Sequence, residues 1–299
     1  MKFVGCCALL VTLYVAGVLL FMKGFLLKRI VISDNSSCSL GARDDGDRGH
    51  PNSTEQHFEQ NGCWMPRRFN RTIFIIIDAL RFDFVAPYNP PSGGSESGKV
   101  AELPFHNKLS TLTSLLRERP NNARLYHFEA DPPTTTLQRL KGLTTGSLPT
   151  FVDAGANFAS AEISEDNLID QFVRCGKNVT FMGDDTWQSL FPGRFSKSFP
   201  FPSFNVKDLD TVDSGIARHL VPEVKNRDWE VLISHFLGVD HCGHTFGPYH
   251  PRMAIKLAEM DAVLRFVELR KIQSWQALCN AVKSNMLLVK EFSYNFKFT

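Results

Sequence analysis

The 299-residue sequence has no surplus of either charge sign: 33 lysines and arginines stand against 31 aspartates and glutamates, a formal net charge of +2. It also lacks a long basic stripe interleaved with aromatics, and these two absences together argue against nucleic acid as a partner. No internal repeat is visible, which excludes a solenoid or propeller. Intrinsic disorder is excluded by composition, because 43% of the residues are hydrophobic and 21% charged, enough to bury a sizeable core.

Long uncharged apolar runs are scarce, and the prominent one lies at the N-terminus. Residues 3–22, FVGCCALLVTLYVAGVLLFM, form a run of 20 between Lys2 and the basic group Lys23, Lys28 and Arg29. That length suits one bilayer span. A secretory signal has a shorter apolar region, about 7 to 15 residues, and a small-residue cleavage site, which is not evident after Met22. The run therefore reads as a membrane anchor, with Cys6 and Cys7 packed inside it. Flanking charge does not settle its orientation, since more basic residues follow the span than precede it.

Four glycosylation sequons, at Asn35, Asn52, Asn70 and Asn178, all follow the span and favour a lumenal or extracellular body. Cys38 and Cys63 bracket a polar stretch; they read equally as a disulfide suited to that compartment or as two free thiols. Residues 33–62 are polar and almost free of aliphatics, as expected of a stalk, and the folded body should start near Trp64. Apolar runs at 73–77, 179–182 and 231–237 read as buried strands, whereas 106–118, 165–175, 212–220 and 252–268 carry helical spacing. Strands alternating with helices predict an α/β fold with a mostly parallel sheet. Residues 86–100, rich in Pro, Gly and Ser, read as a surface insertion.

Three stretches carry chemistry. The strand TIFIII ends on Asp78, and parallel sheets place ligands at the carboxyl ends of their strands. An ionised carboxylate there must be paired, bound to a metal, or used as a helix cap; Arg81 and Asp83, just beyond, pair with each other or with neighbours. A second strand, VLISHFLGV, leads into Asp240, His241 and His244, and an Asp and a His four apart can meet on one side of a turn as oxygen and imidazole ligands. The third stretch, DPPTTTLQRLKGLTTG at 131–146, sets three threonines before a helical pattern. One of those hydroxyls can cap the helix, or act as a nucleophile whose phosphate rests on the helix N-terminus. Asp184 and Asp185 in FMGDDTW follow another strand, where a carboxylate can recognise an ammonium group or cap a loop.

Asp78 in IIIDALRFDF, the threonines in DPPTTTLQRLKGLTTGSLPTF, FMGDDTWQSLFP at 181–192 and GVDHCGH at 238–244 together resemble the glycosylphosphatidylinositol (GPI) ethanolamine-phosphate transferases, over residues 1 to about 268. The resemblance implies an alkaline-phosphatase-like α/β domain with helices on both faces of the sheet and two zinc ions. It implies transfer of phosphoethanolamine from phosphatidylethanolamine to a mannose of the GPI precursor, in the lumen of the endoplasmic reticulum, with a small membrane subunit as a further partner. Carried over position by position, Asp78 would ligate one zinc, shared with the nucleophile, and Asp240 with His244 the other. By the superfamily's spacing from nucleophile to a following Thr-Gly pair, here Thr145-Gly146, the resemblance implies Thr136 as the nucleophile, with Thr134 and Thr135 as alternatives.

The chain also departs from that pattern. The superfamily completes its site with an Asp-His pair in an Asp-His-Gly context and a further His, and this sequence has no Asp or His after Asp261. The expectation is thus an incomplete, apparently truncated chain: anchor 1–28, lumenal stalk 29–63, partial catalytic domain 64–268 and divergent tail 269–299. Three protein ligands for two zinc ions fall short of the usual four each, so little or no transfer is expected from the chain as written. A sheet without its later strands should expose an edge, although MLLVKEF at 286–292 offers a short substitute strand. The alternative readings are a membrane-anchored phosphodiesterase or sulfatase of the same superfamily, and a non-catalytic lumenal binding protein.

Overall fold

Thr72–Ile77 (β1) alternates its side chains between two cores, and that period-2 pattern organises the rest of the molecule. A computed structural model describes residues 2–25, 34–36, 69–89, 102–130, 132, 134–148, 162–226, 228–278 and 288–291. Cys38 and Cys63, all of the 29–63 stalk but residues 34–36, the Asn52 sequon, the start near Trp64 and most of the 86–100 insertion lie outside those residues. The N-terminal helix α1, Lys2–Phe25, contains a 20-residue segment of mean hydropathy 2.3, long and apolar enough to cross a membrane.

Beyond α1 the element order is β1, α2 (Phe82–Val85), α3 (Ser110–Glu118), α4 (Thr136–Thr145), α5 (Leu168–Arg174), β2 (Val179–Asp184) and α6 (Thr186–Leu190). There follow β3 (Lys197–Phe201), α7 (Thr211–Asn226), β4 (Val231–Phe236), α8 (Gly238–Phe246), α9 (Pro251–Leu278) and β5 (Leu288–Glu291). The strands form one sheet in the order β3-β2-β4-β1-β5, with every pairing parallel. The α/β prediction and all three predicted strands are therefore borne out. The tail segment takes the place beside β1, pairing Phe74 with Leu288 through Ile77 with Glu291, so the edge expected there is occupied.

The expected strand set lacked β3. Its sequence KSFPF is half-buried throughout and contains Pro200, which gives no continuous apolar signal; proline is tolerated because β3 is an edge strand of the sheet. Helix α7 runs beyond the expected end at residue 220, through Pro222 to Asn226. Its last turn is held by Trp229, whose Nε1–H donates to the Glu223 carbonyl at 2.7 Å.

Helices cover both faces of the sheet. Ile73, Ile75 and Ile77, with Met182, Leu232 and Phe236, pack against Leu112 of α3, Val212 and Ile216 of α7, Val239 and Cys242 of α8, and Leu257 and Met260 of α9. On the opposite face Ile76, Phe181, Val231 and Ile233 meet Leu140 of α4, Ile169 of α5 and Trp187 and Leu190 of α6. Strands buried on both faces are the hallmark of parallel sheets, which is why their sequences read as nearly unbroken apolar runs.

The turn from β4 into α8 is fixed by a buried carboxylate. Asp213 Oδ1 accepts the backbone N–H groups of Leu237 and Gly238 at 3.0 and 3.1 Å. Lys256 stands behind it, its Nζ 3.9 Å from Asp213 Oδ2 and 2.8 Å from Glu259. Burial pushes the Asp213 carboxyl above the usual range, against the pull of Lys256 and the two N–H donors. No side chain fits at Gly238: a Cβ there would meet Asp213 Oδ2 at 2.1 Å and the Leu209 carbonyl oxygen at 2.9 Å. Gly238→Ala is expected to destabilise the chain by about 1–3 kcal/mol through overpacking, and a urea midpoint unchanged from the wild type would refute this account of the turn.

Candidate active site

Asp78 stands directly after β1, where the sheet hands over to irregular backbone. Its N–H still bonds the Phe236 carbonyl of β4 at 2.9 Å, so the carboxylate is anchored to the sheet's carboxyl edge. Oδ1 accepts the N–H of Ala79 at 2.8 Å. Ala79 has φ +54°, an unfavourable conformation for a residue with a Cβ, held here between a buried carboxylate and the fully buried Leu80. The helix-cap reading of Asp78 does not hold: α2 begins four residues later, behind Arg81, and its start has no side-chain cap. Arg81 and Asp83 pair with each other, as expected.

Thr135 and Thr136 separate clearly. Thr135 occupies the N-cap of α4 but its side chain makes no cap hydrogen bond; its hydroxyl is engaged with Gln138 instead. Thr136, the first residue of α4, points the other way and donates its Oγ1–H to Asp78 Oδ2 at 2.9 Å, across 58 residues of sequence. The helix therefore presents a hydroxyl, and behind it outward-facing N–H groups, to a carboxylate at the strand end.

Asp240 and His244 lie on a helix and not on the turn expected for them. Both belong to α8, one helical turn apart, with His244 Nε2 3.5 Å from Asp240 Oδ1. The spacing that suggested a shared ligand site is the i,i+4 spacing of one helix face. Asp240 is buried, whereas the His244 side chain is 55% exposed, so the pair straddles the boundary between core and solvent. His241 is buried and turned elsewhere, its Nδ1 2.7 Å from the Asp208 carbonyl oxygen.

Two further residues join the site: His235, which sequence reasoning does not single out, and Asp184, which it weighs with Asp185 as a carboxylate that recognises an ammonium group or caps a loop. His235 of β4 is fully buried between the strand ends, with Nε2 3.6 Å from Asp78 Oδ2 and Nδ1 3.8 Å from Asp184 Oδ2. A polar residue in the otherwise apolar run VLISHF was the available signal. Asp184 is buried, and its Oδ1 accepts the Thr186 N–H at 2.8 Å. Asp185 instead leaves the cluster, accepting from the Ser203 hydroxyl at 2.8 Å.

Electrostatics bind these groups together. Burial alone would raise the pKa of Asp78, but His235, through hydrogen bonding and charge, and the donors Thr136 and Ala79 hold it below the usual carboxylate range. Asp240 goes the other way: burial first, then the charges of Asp78 and Asp184, push it up to about 8, against the attraction of His235. Among the described residues no three His, Cys, Asp or Glu side chains converge closely enough to hold a metal ion. The donor chemistry does suit a divalent cation, because Asp240 Oδ1 is buried without a hydrogen bond and sits among like charges.

No family model matches the sequence. Among curated proteins, a Homo sapiens relative named "GPI ethanolamine phosphate transferase 3, catalytic subunit" is 53% identical over 263 residues, covering 85% of this chain and 22% of the relative. "GPI ethanolamine phosphate transferase 3" of Saccharomyces cerevisiae is 43% identical over 250 residues, covering 83% of this chain and 22% of the relative. The human "GPI ethanolamine phosphate transferase 2, catalytic subunit" is 36% identical over 265 residues, covering 88% of this chain and 24% of the relative. The chain thus spans about a quarter or less of the length of these relatives.

The raised Asp240 pKa makes stability pH-dependent. A carboxyl that titrates near 3.8 when unfolded and about 8 when folded holds its proton preferentially in the native state. Its contribution is complete below the unfolded value and lost as pH rises through the folded one. The metal-free chain should therefore lose thermal stability between pH 5 and 8, and Asp240→Asn should flatten that loss. Parallel thermal melts of the two proteins, equally steep in pH, would contradict the assignment.

Proposed function

The chain belongs to the GPI ethanolamine phosphate transferase family by sequence, and from that premise we propose that its site moves phosphoethanolamine from phosphatidylethanolamine to a mannose of the GPI precursor. The observation that carries this reading is the 2.9 Å hydrogen bond from the Thr136 hydroxyl to Asp78 at the carboxyl edge of the sheet. Nucleophile and carboxylate meet where α/β folds bind their ligands.

Thr136 Oγ attacks the donor phosphorus while its proton passes toward Asp78 Oδ2, the atom that already accepts it. The bond from phosphorus to the diacylglycerol oxygen breaks, that oxygen takes up a proton, and phosphoethanolamine remains on Thr136. A mannose hydroxyl then attacks the same phosphorus, gives up its proton and returns Thr136 to its starting state. In the covalent state the phosphate lies at the N-terminus of α4, whose free N–H groups favour an anion. Thr135 is the weaker candidate because Gln138 engages its hydroxyl.

Asp78, together with Thr136, would hold one zinc ion, and Asp240 with His244 the other. Zinc, when bound, would lower the pKa of the attacking hydroxyl and neutralise charge at the phosphorus. Asp240, disfavoured as an anion by burial and its neighbours, is then stabilised in its ionised form. The endoplasmic reticulum is the compartment where this reading places the site, on the lumenal side of the bilayer that α1 would span. The names of the human relatives, which specify a catalytic subunit, support a further partner subunit.

The test is covalent trapping. The full chain in detergent with added zinc is incubated with phosphatidylethanolamine and digested, and the peptide bearing Thr136 is weighed by mass spectrometry. A phosphoethanolamine adduct on Thr136, absent from Thr136→Ala, is expected, whereas completed transfer to an acceptor is expected to be slight or nil, because this chain supplies three protein ligands for two zinc ions. An adduct on Thr134 or Thr135 would move the nucleophile, and no adduct on a zinc-loaded chain would overturn the reading.

A further inference from the structure

His235 has no part in the reaction just described, yet it is the most buried titratable group of the site and touches two of its carboxylates. The ring is placed by its strand and by the strands on either side. β4 lies between β1 and β2, and His235 pairs in register with Ile76 on one side and Gly183 on the other. Its side chain shares the sheet face of Val231 and Ile233, the face covered by α4 and α6. Gly183 is the position that makes room, since a Cβ there would approach the His235 carbonyl oxygen to 2.4 Å and the His235 Cβ to 3.0 Å. Gly183 also has φ +137°, a backbone conformation open to glycine and unfavourable to other residues.

Trp187, 1% exposed, aims its indole Nε1–H at His235 Nδ1 across 3.1 Å. An indole nitrogen donates and cannot accept. In the neutral imidazole Nδ1 is therefore the unprotonated, accepting nitrogen, which places the proton on Nε2, 3.6 Å from Asp78 Oδ2 and beyond hydrogen-bond distance. A histidine that ligates a metal through Nε2 has the opposite arrangement, with its proton on Nδ1 given to an acceptor. Asp184 Oδ2, 3.8 Å from Nδ1, is an acceptor of that kind, but the indole N–H holds the nearer place.

Resting on the transferase reading above, we propose that His235 is a positioning residue and not a metal ligand. Trp187 fixes its tautomer, and the Nε2 edge, 3.6 Å from Asp78 Oδ2, holds that carboxylate by charge and packing in the orientation that receives the Thr136 proton. Trp187 and His235 on one side and the Thr136 hydroxyl on the other then converge on Asp78, which accepts the Thr136 proton. Asp78 is held by the Ala79 N–H on Oδ1 and by Thr136 on Oδ2, while His235 Nε2, which has no hydrogen-bond partner, faces Oδ2 from 3.6 Å.

The test reads the tautomer directly. The full chain, labelled with 15N-histidine, is studied by NMR at neutral pH without metal, with the His235 signals assigned by their loss in His235→Gln. A protonated Nε2 and an unprotonated, hydrogen-bonded Nδ1 are expected in the wild type, and Trp187→Phe should abolish that pattern. An Nδ1–H tautomer or an imidazolium in the wild type overturns the proposal. A second measurement adds zinc alone and counts metal per chain. His235→Gln, which keeps a donor near the ε position, should bind as many equivalents as the wild type, while His235→Ala should bind about 10–100-fold more weakly. Loss of one equivalent in His235→Gln would make His235 a ligand and sink the idea. A wild type that shows the Nε2–H tautomer but binds no zinc would refute the metal centre and leave the tautomer assignment supported.

Discussion

Three carboxylates, Asp78, Asp184 and Asp240, surround one buried imidazole at the ends of parallel strands, and the rest of the structure serves to tolerate that concentration of charge. Each is almost wholly removed from water, where an isolated anion is strongly disfavoured. Asp78 resolves the conflict through donors from Ala79 and Thr136 and through the charge of the neighbouring His235. Asp240 lacks equivalent donors and resolves it by retaining a proton. Two acids of the same type thus take opposite protonation tendencies within one cluster, because one is surrounded by N–H and O–H groups and the other by negative charge.

The fold brings these groups together from both sides of the sheet. Helix α4, which carries Thr136, packs on the face of Phe181 and Ile233, while α8, which carries Asp240 and His244, packs on the face of Ile75 and Leu232. Neither helix could complete the site alone; they meet only at the carboxyl edge, where the strands end. The order β3-β2-β4-β1 puts the ends of β2, β4 and β1 side by side, so Asp184, His235 and Asp78 arrive from three neighbouring strands. Asp213 and Lys256 then fix the entry to α8 and with it the depth at which Asp240 enters the cluster.

Much of this was legible in the residues. The β-branched run before Asp78, the apolar run before Asp240 and the threonine triplet before a helical pattern were local signals, and each landed at the strand or helix end they implied. β3 was not legible, since a half-buried edge strand containing Pro200 shows neither alternation nor a continuous apolar run. The turn expected for Asp240 and His244 proved to be a helix because a glycine at either end, Gly238 and Gly247, bounds a nine-residue segment whose spacing alone fits both.

Sequence by itself determined the anchor-like N-terminal helix, the parallel α/β architecture and the two strand ends that carry acids, because these depend on hydrophobic period and on residues close together in the chain. Tertiary structure alone decided which threonine faces Asp78, that Asp184 and not Asp185 turns into the cluster, and that His235 lies at its centre. Those assignments depend on which face of a strand a side chain takes and on what stands opposite it. Thr136 meets Asp78 across 58 residues and Trp187 meets His235 across 48, distances over which a pattern of residue types holds no information about direction.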